Sequence, residues 1–265
     1  MRYLTLIFAF APILMGCDRL HEIDETPPAS PRGITTISLD NAVQLNWLHN
    51  TEPDLDGYRI WVSDRFDGRY ELIGTTRTNE FIDRGAKNGI TYYYGLTAFD
   101  FVGNESPLSK EVVYDTPRPE GFNVRLNNFR QNPNASGYDF STYSVGPYDD
   151  DYTDVFYEYV NGRSYLNVWS DTDIQGMGYT RSLDDISVAP TSGWAPSKSV
   201  EAIAGHTYVI WTWDDHYAKI RLIEVRSSYI IFDWAYQTAK GNPELRKLGG
   251  IRVRQIRPRD EAKRY

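Results

Sequence analysis

Acidic side chains crowd one segment of this chain, and their spacing is where chemistry would start. Between Asp139 and Asp185 ten carboxylates stand against Arg163 and Arg181, a local balance of −8 in a 265-residue chain whose formal charge is also −8. Within the segment, Asp171-Thr172-Asp173-Ile174-Gln175-Gly176 opens as a calcium loop does, with carboxylates at alternate positions and glycine sixth. Its twelfth position is Ser182, where a bidentate glutamate would close the cage, so Asp184 or Asp185 has to complete the set. The expected metal ligands are therefore Asp171, Asp173 and Asp184, with Asp149-Asp150-Asp151 and Asp154 as a second oxygen cluster. The competing reading of both runs is solvated acidic surface. Calcium is the cofactor this spacing admits; none is demanded by it.

Nitrogen ligands are scarcer. His206 and His216 bracket one expected strand, and at ~3.3 Å per residue a straight strand sets them roughly 30 Å apart. They cannot then clamp one iron in a monomer, which disfavours haem. Trp169, Trp194, Trp211, Trp213 and several tyrosines could stack on sugar rings or peptides, although large aromatics at alternating strand positions are ordinarily core. Trp194, inside Pro190-Thr191-Ser192-Gly193-Trp194-Ala195-Pro196, falls in an expected loop, so it is the aromatic expected to be exposed. Trp194, His206 and His216 make up the expected ligand-binding set. Enzymatic signatures are missing: no Gly-x-Ser-x-Gly elbow, no phosphate-cradling glycine loop and no His-Glu-x-x-His zinc helix. Carboxylate pairs for glycoside hydrolysis abound, but nothing in the spacing selects one.

Cys17 is the only cysteine. It ends an apolar leader in which Arg2 supplies a positive start, residues 3 to 14 carry no charge, and Gly16 precedes the sulfur as a cleavage site requires. The run Leu14-Met15-Gly16-Cys17 resembles the signal of bacterial lipoproteins. That resemblance implies a signal peptide over residues 1–16, acylation of Cys17, and a lipid-anchored, extracytoplasmic place in the bacterial cell envelope. Several acyl chains hold firmly, since each buried methylene adds about 0.8 kcal/mol. The apolar run is too short to span a bilayer, which takes ~20 residues. Asp18 marks inner-membrane retention in proteobacteria, a rule other phyla do not share, and the outer membrane is favoured over the inner. With no second thiol, stability rests on neither disulfides nor thiolate zinc.

Residues 17–32, with Pro27, Pro28 and Pro31, read as a tether. From 33 to 116 short alternating runs separated by turn residues indicate a β-sandwich. Val43, Leu45 and Trp47 share one face of a strand, Tyr58, Ile60 and Val62 of the next, with Asp56-Gly57 expected to turn the chain between them. The segment Asn88-Gly89-Ile90-Thr91-Tyr92-Tyr93-Tyr94-Gly95-Leu96-Thr97-Ala98-Phe99-Asp100 resembles strand F of fibronectin type III domains, and Gly103-Asn104-Glu105-Ser106-Pro107 their F to G turn. By that resemblance Trp47 is the core tryptophan of strand B and Tyr92 the tyrosine-corner residue. No Arg-Gly-Asp adhesion tripeptide occurs there, which favours a spacer. Thr116-Pro117-Arg118-Pro119-Glu120-Gly121 then breaks the sheet, because proline cannot continue a central strand.

The second domain, residues 122–248, holds the clearest hairpin. Asn161-Gly162 supplies the positive φ angles of a type I′ turn, which pairs Val160 with Arg163 and Tyr157 with Leu166. Runs 207–213, 217–225 and 229–237 read as three more strands. In the first, Tyr208 and Ile210 point one way and Val209, Trp211 and Trp213 the other, so both faces need cover. The segments Trp213-Asp214-Asp215-His216-Tyr217 and Phe232-Asp233-Trp234-Ala235-Tyr236-Gln237 resemble HmuY-like haem-binding lipoproteins, without a ligand motif. Residues 249–265 read as a basic strand and tail, and the basic balance that begins at Pro243, with Arg246 and Lys247, is opposite in sign to the acidic segment and able to face it, the competing reading being ordinary solvated surface.

The fold class is thus all-β, a fibronectin type III sandwich followed by a second antiparallel β-domain. The expected function is that of a binding protein and not an enzyme: a spacer presents a β-domain to an extracytoplasmic ligand or envelope partner, with the membrane as second partner. An acidic chain in that compartment excludes nucleic acid. The alternatives are a structural or adhesion component, a haem-binding lipoprotein, and a glycosidase.

Overall fold

A computed structural model describes residues 24 to 253. The leader and Cys17 lie outside the described residues. Among those residues the helical turns are two of three residues each, Pro133–Ala135 and Leu183–Asp185, and the rest of the regular structure is strand.

The first domain is built from β1 (Thr35–Leu39), β2 (Ala42–Asn46), β3 (Leu55–Ser63), β4 (Glu71–Thr76), β5 (Glu80–Asp83), β6 (Tyr92–Asp100) and β7 (Glu111–Asp115). Three strands in the order β1-β2-β5 face four in the order β4-β3-β6-β7, all antiparallel, which is the fibronectin type III arrangement. Alternation sorts the side chains: Val43, Leu45, Tyr58, Ile60, Tyr94, Leu96 and Ala98 are sealed inside, with Trp47 edge-on to Tyr58 at 5.2 Å. The Tyr92 hydroxyl accepts the Lys87 amide at 3.1 Å, closing the tyrosine corner.

Two expectations change here. Asp56-Gly57 does not turn the chain; it lies inside β3, where pairing with β6 shifts register between Leu55 and Gly57. The turn comes earlier, at Pro53-Asp54, and Gly57 serves close approach, since a Cβ there would stand 2.7 Å from the Thr76 carbonyl oxygen. The proline-rich stretch read as tether is laid on the sandwich from residue 24 onward. Pro28 and Pro31 are buried, the Ala29 amide donates to Glu52 at 2.6 Å, and the Ser30 hydroxyl donates to the Pro107 carbonyl at 2.9 Å.

The second domain comprises β8 (Glu120–Asn127), β9 (Gly137–Asp139), β10 (Ser144–Gly146), β11 (Val155–Val160), β12 (Arg163–Asn167), β13 (Asp173–Tyr179), β14 (Ser199–Glu201), β15 (His206–Trp211), β16 (Tyr217–Val225) and β17 (Tyr229–Gln237). One antiparallel sheet runs β10-β9-β11-β12-β14 and the other β13-β15-β16-β17-β8. The Asn161-Gly162 turn has φ values of 51° and 80°, and Val160 pairs with Arg163 and Tyr157 with Leu166. Between the sheets Tyr138, Phe140, Tyr157, Tyr208, Phe232 and Trp234 dominate a core in which Tyr138 meets Phe140 and Phe232 edge-on and Phe140 stacks on Tyr236. Val209, on the opposite face of β15, is covered by Ala189 and Leu245, with Met177, Ile186, Trp194 and Tyr217 around them. A two-faced strand has drawn loops over its outer side.

The domains are joined by a polar seam. Arg118, 1% exposed, donates through Nε to the Arg246 carbonyl at 3.3 Å and lies 3.6 Å from Glu120 and 4.0 Å from Asp184. Fully buried Lys219 donates to the Ile186 carbonyl at 2.7 Å, and burial, with Arg118 nearby, pulls its pKa down to about 7. The C-terminal segment then crosses back: Leu245 enters the second domain's outer core, Lys247 pairs with Glu120, and β18 (Gly250–Val253) extends the first domain's sheet beside β7. Among the described residues, the part of this basic segment up to Val253 does not meet the acidic run except at Asp184, and the residues from 254 onward lie outside the described residues. Arg246 pairs with Glu244, Arg252 stacks over Tyr93 and Tyr114, and of the acidic run Asp184 alone among the described residues forms an ion pair at the seam.

Candidate functional site

At the end of the second sandwich where β10 passes to β11, β12 to β13 and β15 to β16, three connections surround two adjoining hollows. One, of about 360 Å³, is lined by Asp171, Asp173, Trp211, Thr212, Trp213 and Asp215. The other, of about 290 Å³, is lined by Asp149, Asp150, Asp151, Thr153, Trp169, Asp171 and Trp213. Asp171 and Trp213 belong to both, so the two form one groove.

Each tryptophan is held for a local reason. Trp169 ends the hairpin beyond β12; its Nε1–H donates to the Tyr148 carbonyl at 3.2 Å, and its ring lies against Tyr148 and Phe156, leaving 42% of the residue exposed. Trp213 sits in the β15–β16 turn. That turn is fixed by the Thr212 amide donating to the His216 carbonyl at 2.9 Å and by the Asp215 amide donating to the Thr212 carbonyl at 3.0 Å. Asp215, at φ 70°, accepts the Trp211 indole N–H at 2.9 Å. The result turns Trp211 inward, between Trp194 and Tyr217, and Trp213 outward at 53% exposure.

Six carboxylates line the groove: Asp149, Asp150, Asp151, Asp171, Asp173 and Asp215. Lys198 answers one, pairing with Asp173 at 2.7 Å. Beneath, Asp154 is 3% exposed and accepts the Phe140 amide at 2.9 Å. Burial pushes its pKa up to about 7, and the charges of Asp139, Asp214 and Asp171 push the same way. The groove therefore offers apolar ring faces beside hydrogen-bond acceptors in a negative field. That combination suits hydroxyl-rich or cationic groups and repels anions.

The expected site residues are not gathered in one place. Trp194 is half-buried in the outer core and stacks toward Trp211 at 6.0 Å, so the exposed aromatic of this region is Trp213 instead. His206 and His216 lie at opposite ends of β15. The chain folds back after Thr212, so six residues at ~3.3 Å separate the two ends, about 20 Å and not 30. His216 donates from Nδ1 to the Gln237 carbonyl at 3.1 Å and lies 3.7 Å from Asp214, a structural setting. Asp171, Asp173 and Asp184 do not converge either. From Asp173 the chain is extended and paired to β15, Gly176 included, so no loop forms to wrap a cation, and Asp184 stands at the Arg118 seam. The acids that do converge among the described residues are Asp24, Asp54 and Asp100 in the first domain, with carboxylate oxygens within 4.8 Å of one another. That trio leaves no local signature in the sequence, because its members are far apart in the chain. Trp169 and Trp213 are two of four tryptophans that composition and spacing offer alike. The strand expected over 207–213 stops at Trp211, as β15, and the Thr212–His216 turn carries Trp213 out to solvent; Trp169 likewise stands just past the end of β12.

No family model matches the chain. An amylopullulanase of Thermoanaerobacterium thermosulfurigenes is 30% identical over 155 residues, 54% of this chain and 8% of the enzyme. An amylopullulanase of Thermoanaerobacterium saccharolyticum is 33% identical over 100 residues, 37% of this chain and 8% of that enzyme. The chain thus spans less than a tenth of the length of these relatives. Among solved structures, a Fn3-like protein from Clostridium thermocellum covers 32% of this chain and 88% of its own, at 27% identity and a TM-score of 0.28. The assignment of the first domain to the fibronectin type III fold rests on its strand order and tyrosine corner.

Proposed function

We propose that this is a lipid-anchored envelope protein whose fibronectin type III domain presents the second β-sandwich as a module that binds a neutral polysaccharide, without catalysing its cleavage. The observation that carries the reading is the groove between Trp169 and Trp213, both exposed and both beside carboxylates that can accept sugar hydroxyls. Ring faces of sugars stack on tryptophan as other apolar faces do, and carboxylate acceptors add orientation. Six carboxylates against Lys198 oppose acidic glycans such as uronates. The partial likeness to enzymes named for amylose and pullulan makes α-glucans the first probes. The lipid anchor is supported by the Leu14-Met15-Gly16-Cys17 run.

Electrophoresis of the mature chain through gels cast with pullulan, soluble starch or an acidic polysaccharide tests the reading. Retardation by a neutral glycan, lost in Trp169→Ala and in Trp213→Ala and kept in Trp194→Ala, is expected. A chain that runs unretarded in every neutral glycan tried, or one equally retarded after both groove substitutions, removes the proposal. Mass spectrometry of the native chain reads the anchor separately: an unmodified Cys17 ends that part of it.

A further inference from the structure

The first domain has an apolar tip at the end away from the second domain. β6 starts beside the seam and ends at Asp100, so the β6–β7 turn lies at the far end, and there Phe101 and Val102 are 69% and 64% exposed. Leu48, past the end of β2, is 59% exposed at the same end. A loose loop could fold such residues inward, but this turn is pinned by hydrogen bonds. The Phe101 amide donates to the Asp54 carbonyl at 3.1 Å, and Asp100 Oδ1 accepts the amides of Val102, Gly103 and Asn104 at 3.0, 2.7 and 2.8 Å. Gly103 takes φ 98°, which completes a turn held with its apolar pair outward.

The same turn receives the incoming chain. Asn104 Nδ2 donates to the Asp24 carbonyl at 2.8 Å, and Cys17 precedes Asp24 by seven residues, a reach of at most ~25 Å. An acyl chain on Cys17 would hold this end of the domain, and no other, within that distance of a bilayer. Once tethered, even a weak apolar contact is favoured by effective concentration.

We propose that Phe101 and Val102 seat in the interfacial layer of the bilayer that carries the anchor, so that the domain stands on the membrane through its β6–β7 turn. The proposal rests on the lipid-anchor reading of Cys17. Charge selects the lipid: Asp24, Asp54 and Asp100 cluster within 4.8 Å beside the tip, and a hollow beside Phe101 is lined by Glu52, Asp56 and Arg77, of which Arg77 pairs with Asp56 at 2.8 Å and leaves the balance negative. These carboxylates oppose anionic headgroups, so the surface that fits is zwitterionic.

The test places an environment-sensitive fluorophore on Val102→Cys or, as control, on Tyr179→Cys, which is 71% exposed in the second domain. The acylated chain is reconstituted in phosphatidylethanolamine–phosphatidylcholine vesicles. A second preparation, unacylated with Cys17→Ser, is held on the same vesicles by an N-terminal histidine tag and a nickel-chelating lipid. In both, the label at 102 is expected to shift to the blue and to be quenched by bromolipid, the label at 179 to do neither, and Phe101→Ser to weaken the shift at 102. Added anionic lipid is expected to reduce it. Water-like emission at 102 on protein that floats with the vesicles overturns the proposal in either preparation. If the native chain lacks acylation, the anchor reading fails while the tagged preparation still decides the tip.

Discussion

Replacing Asp154 by asparagine should stabilise the protein in a pH-dependent way, and the size of the effect follows from where the carboxyl sits. It is 3% exposed, receives the Phe140 amide, and is pushed up to about 7, first by burial and then by the charges of Asp139, Asp214 and Asp171. In an unfolded chain the same group titrates near 3.9. The folded state therefore holds the proton more tightly, so the stability this group contributes is complete below about pH 4 and is lost as pH rises toward 7. At 1.36 kcal/mol per pH unit, the climb from about 4 to about 7 amounts to about 4 kcal/mol. Asparagine keeps an acceptor for the Phe140 amide and never ionises. Urea denaturation of wild type and Asp154→Asn followed by tryptophan fluorescence reports on the right domain, which holds Trp169, Trp194, Trp211, Trp213 and Trp234. The two proteins are expected to be nearly equal at pH 4.5, with the variant ahead by up to about 4 kcal/mol at pH 8. The same difference at both pH values would mean that the carboxylate is not being buried at a cost, and the electrostatic reasoning would fall with it.

Tyr92→Phe removes the hydroxyl that receives the Lys87 amide and should cost the first domain about 1 kcal/mol in thermal denaturation; an unchanged melting curve would deny the corner that role. Gly249→Val should undock the C-terminal strand, because a Cβ there would stand 1.9 Å from Thr36 Oγ1 and 2.3 Å from the Tyr114 carbonyl oxygen. Trypsin is then expected to cut faster after Arg246 and Lys247, and an unaltered digestion time course would count against it. His216→Ala should lower stability by about 1 kcal/mol through loss of the Gln237 contact yet leave glycan retardation intact, so a loss of retardation in a folded variant would return His216 to the site.

Much of the fold was written in local pattern. Period-two alternation marked strands at β2, β3, β15, β16 and β17 and the buried faces of β2, β3 and, up to Trp211, β15, because a strand's side-chain geometry is a property of the strand itself. The Asn161-Gly162 pair set a hairpin register for a similar reason: the backbone angles it permits match one turn. Asp56-Gly57 misled because the same two residues serve a bulge as readily as a turn, and which they make depends on whether β6 lies alongside.

The site was legible only as a list of candidates. Composition announced surplus carboxylates and tryptophans. Which tryptophan faces solvent was settled by an indole hydrogen bond to Asp215 and by the cover over β15, both made by residues distant from Trp194 in the chain or across a turn. Likewise Asp184 was drawn to a buried arginine, away from Asp171 and Asp173, and Asp173 was paired to Lys198, while Asp24, Asp54 and Asp100 were brought together. Strand alternation and turn chemistry act over a few residues, so the amino-acid order alone determines them. Exposure, charge pairing and convergence depend on which strands become neighbours, and only the packed sandwich decides that.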